Sequence, residues 1–338
     1  MTTRTSNRFM VSNAEGWRLA ITRTVRPSRL VRGRNPVLIV PGYGMNSFIF
    51  SYHPRGLSMQ DYLAEQGFEV WRADLRTQGE AVREGGHDRI SLEDLGLTDV
   101  GIVSRTVLEH TQTGADHIDV VGASLGGTLM FLHVVAHPEH RFGSLVSMGA
   151  PVRWVNIHPA LRLAFRSPTL IGLLPFRGSR PLARTVLGAL ARHAPKVLSL
   201  YMNPEITDTS AAGDMVKTVE DPNRHINKQI AHWIQSRDLI VRGRNVSASL
   251  GAIRQPFLCV VALGDGIVPR ETAMYPYEVI GSPSRALIEV GDDRTHVAHA
   301  DLFISALAQE KVFEPMSRWL ADHAGAKNET SSRGAKRP

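Results

Sequence analysis

The stretch His117-Ile-Asp-Val-Val-Gly-Ala-Ser-Leu-Gly-Gly-Thr-Leu-Met-Phe-Leu132 combines three local patterns within sixteen positions. Its apolar start, through Val121, is typical of a short buried strand, and the residues from Thr128 onward have the pattern of a helix. Between them stands Gly-x-Ser-x-Gly, centred on Ser124. At such a strand-to-helix turn a serine is held in a strained conformation with its hydroxyl exposed, so we predict that Ser124 is a nucleophile. A glycine-rich turn without chemistry is the alternative.

The glycines that flank Ser124 have a steric reason to be there. A β-carbon at Gly122 or Gly126 would collide with the adjoining strand or helix. Ser124 would also stand at the N-terminus of the helix, where unpaired N–H groups and the helix dipole favour a developing negative charge. Both arguments favour the nucleophile interpretation.

A second glycine-rich turn follows an earlier apolar run. Pro36-Val-Leu-Ile-Val40 is typical of a buried strand and leads directly into Pro41-Gly-Tyr-Gly-Met-Asn46. Glycines at a strand exit let backbone N–H groups point into a cavity. We therefore predict an oxyanion hole formed by the amides of Tyr43 and Leu125. The pattern leaves Gly44 open as the donor in place of Tyr43.

A serine nucleophile needs a histidine to take its proton, and that histidine needs a carboxylate to orient it. The predicted strand Phe257-Leu-Cys-Val-Val-Ala-Leu263 is followed by Gly264 and Asp265, and we predict Asp265 to be this acid. Two histidines compete for the base. We choose His299, which immediately precedes the last helical stretch, and keep His296 as the second candidate.

Other acidic and histidine residues have simpler explanations. Asp74 follows a strand but precedes the serine in the chain, so we interpret it as a structural residue that binds backbone amides. His133, His137 and His140 recur at helical spacing, but no zincin-like Glu accompanies them and Pro138 ends the helix. We predict solvated histidines at a helix end, no metal site and no organic cofactor.

Composition and hydrophobic pattern divide the chain into four parts. We predict that residues 1–151 and 251–325 form the two halves of one α/β core, that 152–250 form a helical cap or lid, and that 326–338 form a disordered basic tail. The cap is rich in aliphatic residues, which predicts a pocket for an apolar acyl or alkyl group; plain helix packing explains much of the same pattern. These apolar positions are Leu161, Leu163, Phe165, Leu170, Ile171, Leu173, Leu174, Phe176 and the stretch Leu187 to Leu200.

Composition narrows the class of protein. The formal net charge of the 338 residues is +7, but the arginines are scattered without interleaved aromatic residues, so we predict no nucleic-acid partner. The start, Met1 to Arg8, lacks the apolar core of a signal peptide, and no apolar run approaches the length of a membrane span. The single cysteine, Cys259, lies in an apolar strand and fits a reducing compartment. We therefore expect a soluble, cytoplasmic protein without integral membrane segments; its oligomeric state stays open.

Together these motifs resemble the α/β-hydrolase superfamily over about residues 10 to 322. The resemblance is carried by Pro41-Gly-Tyr-Gly, Gly-Ala-Ser-Leu-Gly, Asp265-Gly-Ile-Val-Pro and His299-Ala-Asp-Leu. It implies a mostly parallel central sheet with helices on both faces and a helical lid insertion. Asp61 to Trp71 and Asp74-Leu-Arg are similar to a branch that contains acid lipases and poly(3-hydroxyalkanoate) synthases.

Two features depart from that branch. The polymer synthases use a cysteine nucleophile where this chain has Ser124, which favours hydrolysis over polymerisation. Many relatives also have His-Gly at the oxyanion turn and Gly-His at the base, whereas this chain has Pro41-Gly42 and Ala298-His299. We expect a serine esterase or lipase-like enzyme that acts on small esters with apolar acyl groups through an acyl-enzyme. Acyl transfer by the same triad and a non-catalytic ligand-binding scaffold are the alternatives.

Overall fold

The apolar runs form the strands of one large sheet. The structure is a computed structural model, and it describes residues 4–167, 198–210 and 212–325. Nine strands form the main sheet in this part of the chain, and a separate pair forms a small second sheet. The strands are β1 (Thr5–Ser12), β2 (Trp17–Val25), β3 (Val37–Val40), β4 (Val70–Asp74), β5 (Val82–Arg83), β6 (Ile118–Ala123), β7 (Phe142–Met148), β8 (Ile240–Val241), β9 (Arg244–Asn245), β10 (Phe257–Ala262) and β11 (Arg285–Val290).

The order of the strands places the predicted site residues at one edge. The main sheet runs β1-β2-β4-β3-β6-β7-β10-β11, with β5 paired to β2. The strands β1 and β2 are antiparallel to their neighbours. The other six in this order, β4, β3, β6, β7, β10 and β11, are mutually parallel. The carboxyl ends of parallel strands meet at the same edge of the sheet. The exits of β3, β6 and β10, which carry the predicted oxyanion turn, nucleophile and acid, therefore lie on one side of the molecule.

Helices cover both faces of this sheet. Along β3, Leu38 and Val40 belong to one buried apolar cluster and Val37 and Ile39 to another, as the two-residue period of a strand requires. The helices among the described residues are α1 (Met59–Glu65), α2 (Val100–His110), α3 (Leu125–Ala136), α4 (Pro159–Ala164), α5 (Ala212–Met215), α6 (Arg224–Ser236), α7 (Val246–Ser249), α8 (Arg270–Val279), α9 (Asp301–Ile304) and α10 (Glu314–Asp322). The predicted mostly parallel central sheet with helices on both faces is confirmed.

Two helical stretches of the core are interrupted. The stretch from Leu92 to His110 begins with a π-helical turn, Asp94–Asp99, before α2. The C-terminal stretch ends its first helix at Ile304 and resumes in a π-helical turn, Gln309–Phe313, before α10. Apolar periodicity reports which face is buried, but it does not register an extra residue in a helical turn.

The described segment between β7 and β10 combines helices with a short pair of strands. It contains α4 to α7, together with the pair β8 and β9, which the sequence analysis does not predict. Three predicted parts lie outside the described residues: the apolar positions from Leu170 to Phe176, those from Leu187 to 197, and the tail 326–338. No helix within the described ranges is long and apolar enough to cross a bilayer.

Candidate active site

The turn that follows β6 has the backbone conformation predicted for a strained serine. Ser124 has φ 52° and ψ −126°, in a region that a side chain with a β-carbon rarely adopts. Its N–H donates to the carbonyl of Met148 at the end of β7, over 2.8 Å, and its own carbonyl accepts from Gly127 over 3.0 Å. The serine is thus fixed between two strand ends and the first turn of α3.

The flanking glycines are required by close contacts. A β-carbon at Gly122 would lie 2.4 Å from the Cα of Gly127 in α3. One at Gly126 would lie 2.1 Å from the carbonyl oxygen of Val40 at the end of β3. The first contact is with the helix and the second with the neighbouring strand, so both glycines let α3 pack directly behind the nucleophile strand.

Asp265 and His299 lie in contact. The Nδ1 atom of His299 is 2.5 Å from Oδ2 of Asp265, and both side chains are almost completely buried. The other carboxylate oxygen, Oδ1, accepts the N–H groups of Ile267 and Val268, each over 2.8 Å. The carboxylate is therefore held by its own loop while one oxygen faces the imidazole. This arrangement places the proton on Nδ1 and leaves Nε2 as the basic nitrogen.

The imidazole and the serine flank the same strand end. A β-carbon at Gly149, directly after β7, would lie 3.1 Å from Cε1 of His299 and 3.3 Å from Oδ2 of Asp265. The preceding residue, Met148, accepts the N–H of Ser124. Within the described residues, no hydrogen bond joins the Ser124 hydroxyl to His299.

His296 lies in a different environment. Its Nε2 is 2.9 Å from the carbonyl oxygen of Ser199, and its ring packs against Gly264, where a β-carbon would lie 2.4 Å from Cε1. The side chain is exposed. Asp292, which is close in the sequence to both histidines, accepts the N–H groups of Arg294 and Thr295 within its own turn. Of the two candidate bases, His299 is therefore the one in contact with Asp265.

The loop that carries His299 is fixed from both sides. Ala298 donates its N–H to Asp301 over 2.8 Å, and Ala300 donates to the carbonyl of Tyr201 over 2.8 Å. The Asp301 carboxylate also accepts the N–H of Asn203 and the hydroxyl of Thr207. Residues 201–207 thus hold the histidine loop in place. Sequence analysis missed Asp301 because its partners are distant in the chain.

The turn after β3 lies directly against the nucleophile. A β-carbon at Gly42 would be 2.7 Å from Cβ and 3.2 Å from Oγ of Ser124. In the part of the chain that the structure describes, neither the N–H of Tyr43 nor that of Leu125 has a hydrogen-bond acceptor. Two backbone donors beside a serine hydroxyl are what an oxyanion hole requires.

Two buried side chains that the sequence analysis did not single out anchor this turn. The Gln78 amide donates from Nε2 to the carbonyl oxygen of Gly42 over 3.0 Å. The hydroxyl of Tyr43 lies 2.5 Å from Oδ1 of Asn227 and 3.1 Å from the carbonyl oxygen of Asn223, at the start of α6. Burial raises the pKa of the Tyr43 hydroxyl above its usual range, so this group stays protonated.

Asp74, at the exit of β4, has the structural role predicted for it. Its Oδ1 accepts the N–H of Ser47 over 2.7 Å, and its Oδ2 accepts the N–H of Glu80 over 3.1 Å. A β-carbon at Gly79 would lie 2.2 Å from this carboxylate. Asp74 thus closes the loop that carries Gln78.

The prediction of solvated histidines at the end of α3 is wrong for two of the three. His133 and His140 are 6% and 7% exposed, because both rings pack against Phe142. Desolvation lowers the pKa of His133 to about 4 and that of His140 to about 3. His137 is partly exposed and lies 3.3 Å from Glu139. No group of three His, Cys, Asp or Glu side chains in the described residues is arranged to hold a metal ion.

Comparison with known proteins identifies the fold. A family model described as the alpha/beta hydrolase fold matches residues 35–297. Among solved structures, the chain is similar to an esterase from Thermogutta terrifontis, with 18% identity, a TM-score of 0.58, and coverage of 95% of this chain and 99% of that one. A monoacylglycerol lipase from Paleococcus ferrophilus is 14% identical, with a TM-score of 0.58 over 90% of this chain and 99% of its own.

A third similar structure is of a hydrolase whose name gives a different kind of substrate. A 2-hydroxy-6-oxo-6-phenylhexa-2,4-dienoate hydrolase from Rhodococcus is 19% identical, with a TM-score of 0.59 over 96% of this chain and 99% of that one. A search of curated proteins finds no match. Likeness at this level of identity establishes the fold, and the choice of reaction depends on the residues of the site.

Proposed function

Because the chain belongs to the α/β-hydrolase family, we propose that it is a serine hydrolase that cleaves carboxylic esters through an acyl-enzyme. The observation that supports this most strongly is the 2.5 Å contact between His299 and Asp265, beside the strand end to which the strained Ser124 is bonded. A nucleophile, a base and an orienting acid are the three groups that acyl transfer needs.

In the proposed first half-reaction, Ser124 Oγ attacks the ester carbonyl and His299 Nε2 takes its proton. The resulting imidazolium is stabilised by Asp265, which stays ionised and accepts the hydrogen bond from Nδ1. The negative charge on the former carbonyl oxygen is accepted by the N–H groups of Tyr43 and Leu125. His299 then donates its proton to the leaving alcohol, and the acyl group remains on Ser124.

In the second half-reaction, water attacks the acyl-enzyme. His299 takes a proton from the water and returns it to Ser124 Oγ as the acid departs. The same two amides hold the second oxyanion, so one set of groups serves both halves. No metal and no organic cofactor take part in this proposal.

We further propose that residues 152–250 form a cap over this site and that the substrate has an apolar acyl group. Two contacts support the cap: Met45 forms an antiparallel bridge with Val219, and Tyr43 binds Asn227 in α6. Apolar chain also borders the acid loop, since Gly266 donates its N–H to Leu200 and a β-carbon there would meet the Leu200 side chain at 2.8 Å.

The direct test is hydrolysis of p-nitrophenyl esters from acetate to palmitate by the wild type and by Ser124→Ala. We expect a Ser124-dependent activity that rises with acyl length to an optimum above acetate, because each buried methylene adds about 0.8 kcal/mol of transfer free energy. Equal turnover by both proteins would refute the proposed function. Product analysis with an added alcohol separates hydrolysis from acyl transfer.

A further inference from the structure

The carbonyl oxygen of Gly42 and the N–H of Tyr43 belong to one peptide unit. That carbonyl accepts the Gln78 Nε2 donor over 3.0 Å, and the Gln78 side chain is almost buried. The described residues contain no cis peptide bond, so the C=O and N–H of this unit point in opposite directions. A donor that fixes the oxygen on one side therefore also fixes the direction of the N–H on the other side.

The glycine whose carbonyl oxygen Gln78 binds lies directly against the nucleophile. Gly42 packs against Ser124 so closely that a β-carbon on it would lie 3.2 Å from the serine Oγ. With the Tyr43 N–H as the proposed donor, rotation of the Gly42–Tyr43 peptide plane would change its direction relative to an oxyanion formed on that serine. The bond from Gln78 opposes this rotation.

The Gln78 amide is itself fixed in one orientation. Its Oε1 accepts the N–H of Leu75 over 3.1 Å, which leaves Nε2 to face Gly42. On the other side of the loop, the buried Arg76 is bonded to Asp99 through both its side chain and its backbone N–H. Thr77 lies between these two anchors with φ 69°, an unusual conformation for a β-branched residue. A loop strained between two fixed points is typical of functional positions.

Building on the proposed function, we propose that Gln78 is a positioning residue for the oxyanion hole: it orients the Tyr43 N–H through the Gly42 carbonyl. Gln78 does not touch the substrate. Its contribution is realised when the charge develops on the substrate oxygen, since that is when the direction of the donor matters. The proposal also selects Tyr43 over Gly44 as the donor from this loop.

The test compares wild type, Gln78→Met and Gln78→Glu, with kinetics measured at pH 8 on the best ester of the chain-length panel. Neither variant offers an N–H to Gly42, and a carboxylate at pH 8 offers no proton. We expect kcat to fall about 10- to 100-fold in both variants while KM changes little, because loss of a complete oxyanion donor costs about 100- to 1,000-fold. The Ki of a trifluoromethyl ketone, which forms an oxyanion on the serine, should rise by a similar factor.

The matched control is Gln60→Met. Gln60 is also buried and makes one side-chain hydrogen bond, to Arg72 over 2.7 Å, but it does not contact the oxyanion turn. Its removal should lower the melting temperature comparably and leave kcat and the inhibitor Ki unchanged.

The outcomes separate the inference from the function it builds on. A Ser124-dependent activity that Gln78→Met leaves unchanged would refute the positioning role alone. Changes in KM and kcat in Gln60→Met as large as those in Gln78→Met would also refute the positioning role alone. Equal turnover by wild type and Ser124→Ala would refute both. Failure of both Gln78 variants to fold would also contradict the proposal, which predicts folded but slow enzymes.

Discussion

Buried histidines lie near both ends of helix α3, which is about 18 Å long for its 12 residues. At the N-terminal end, His299 faces the carboxylate of Asp265. At the C-terminal end, His133 donates from Nδ1 to the carbonyl of Gly96, and burial lowers its pKa to about 4. Burial alone keeps a histidine neutral, whereas a carboxylate on one ring nitrogen stabilises the protonated ring that a base must form.

The C-terminal group also shows which electrostatic effect wins. His133 lies in the last turn of α3, where the helix dipole favours a cation by about 0.3–1 kcal/mol. Desolvation acts in the opposite direction and is the largest cause of the lowered pKa, with the charge of His137 adding to it. A location at a helix end therefore does not make this histidine a proton carrier.

The largest effect on kcat is expected when His299, near the N-terminal end of α3, is replaced. His299→Asn removes the base, so kcat for ester hydrolysis should fall by about 10,000-fold or more while the melting temperature stays close to that of wild type. The control His137→Asn, at the other end of α3, should leave kcat unchanged. Steady-state kinetics on the best ester measures both. A nearly active His299→Asn protein would remove this residue from the mechanism.

The next largest effect is expected at Asp265, the carboxylate that His299 has as a partner and His133 does not. Asp265→Asn keeps the shape of the side chain but no longer stabilises the imidazolium, so kcat should fall by about 100- to 10,000-fold. The matched variant is Asp74→Asn, at another strand exit of the same sheet edge. It should lose stability and lower kcat far less than Asp265→Asn, because its carboxylate binds backbone N–H groups and reaches the site only through the loop that carries Gln78. The reverse result would exchange the roles assigned to the two aspartates.

Acid unfolding tests His133, at the C-terminal end of α3. The folded-state pKa of His133, about 4, lies below its ordinary value of 6.5, so the unfolded chain binds the proton more readily. Its contribution to stability is thus present above pH 6.5 and is lost as the pH falls toward 4, by up to about 3 kcal/mol. His133→Asn, which can still donate to Gly96, should flatten the acid limb of the free energy of unfolding.

Denaturant titrations at a series of pH values measure this limb. His87→Asn, at an exposed position, serves as the control and should leave the limb as in wild type. An unchanged acid limb in His133→Asn would show that burial of this ring does not govern its protonation.

The smallest effect is expected at the second candidate base. His296 is bonded to Ser199 and does not contact Asp265, so His296→Asn should lower stability slightly and leave kcat nearly unchanged. The measurement is the same ester assay, with the melting temperature as the second readout. A loss of kcat as large as that of His299→Asn would favour His296 as the base.

The local features of the site were accessible from the sequence because each depends on residues close in the chain. The turn around Ser124 was predicted from its glycines, and the structure shows the two contacts that exclude a β-carbon there. Asp265 closely follows β10 and His299 lies in the loop after β11; parallel strands end at one edge, so the loops that follow them converge.

Features that depend on distant packing were not accessible. His133 and His140 are buried because Phe142 covers them, and helical spacing alone does not reveal which face that strand covers. Gln78 reaches Gly42 from a loop 36 positions away, with no motif to mark it. Neither the polarity nor the spacing of these residues distinguishes them from ordinary surface positions.

The most direct test of the central claim is intact-mass and peptide-mapping spectrometry after incubation with a fluorophosphonate probe. The account predicts a single adduct on Ser124 in the folded wild type, none in Ser124→Ala, and strongly slowed labelling in His299→Asn, since the probe reacts only with an activated serine. A folded wild type that takes no adduct at Ser124, or that is labelled equally fast without His299, would contradict it.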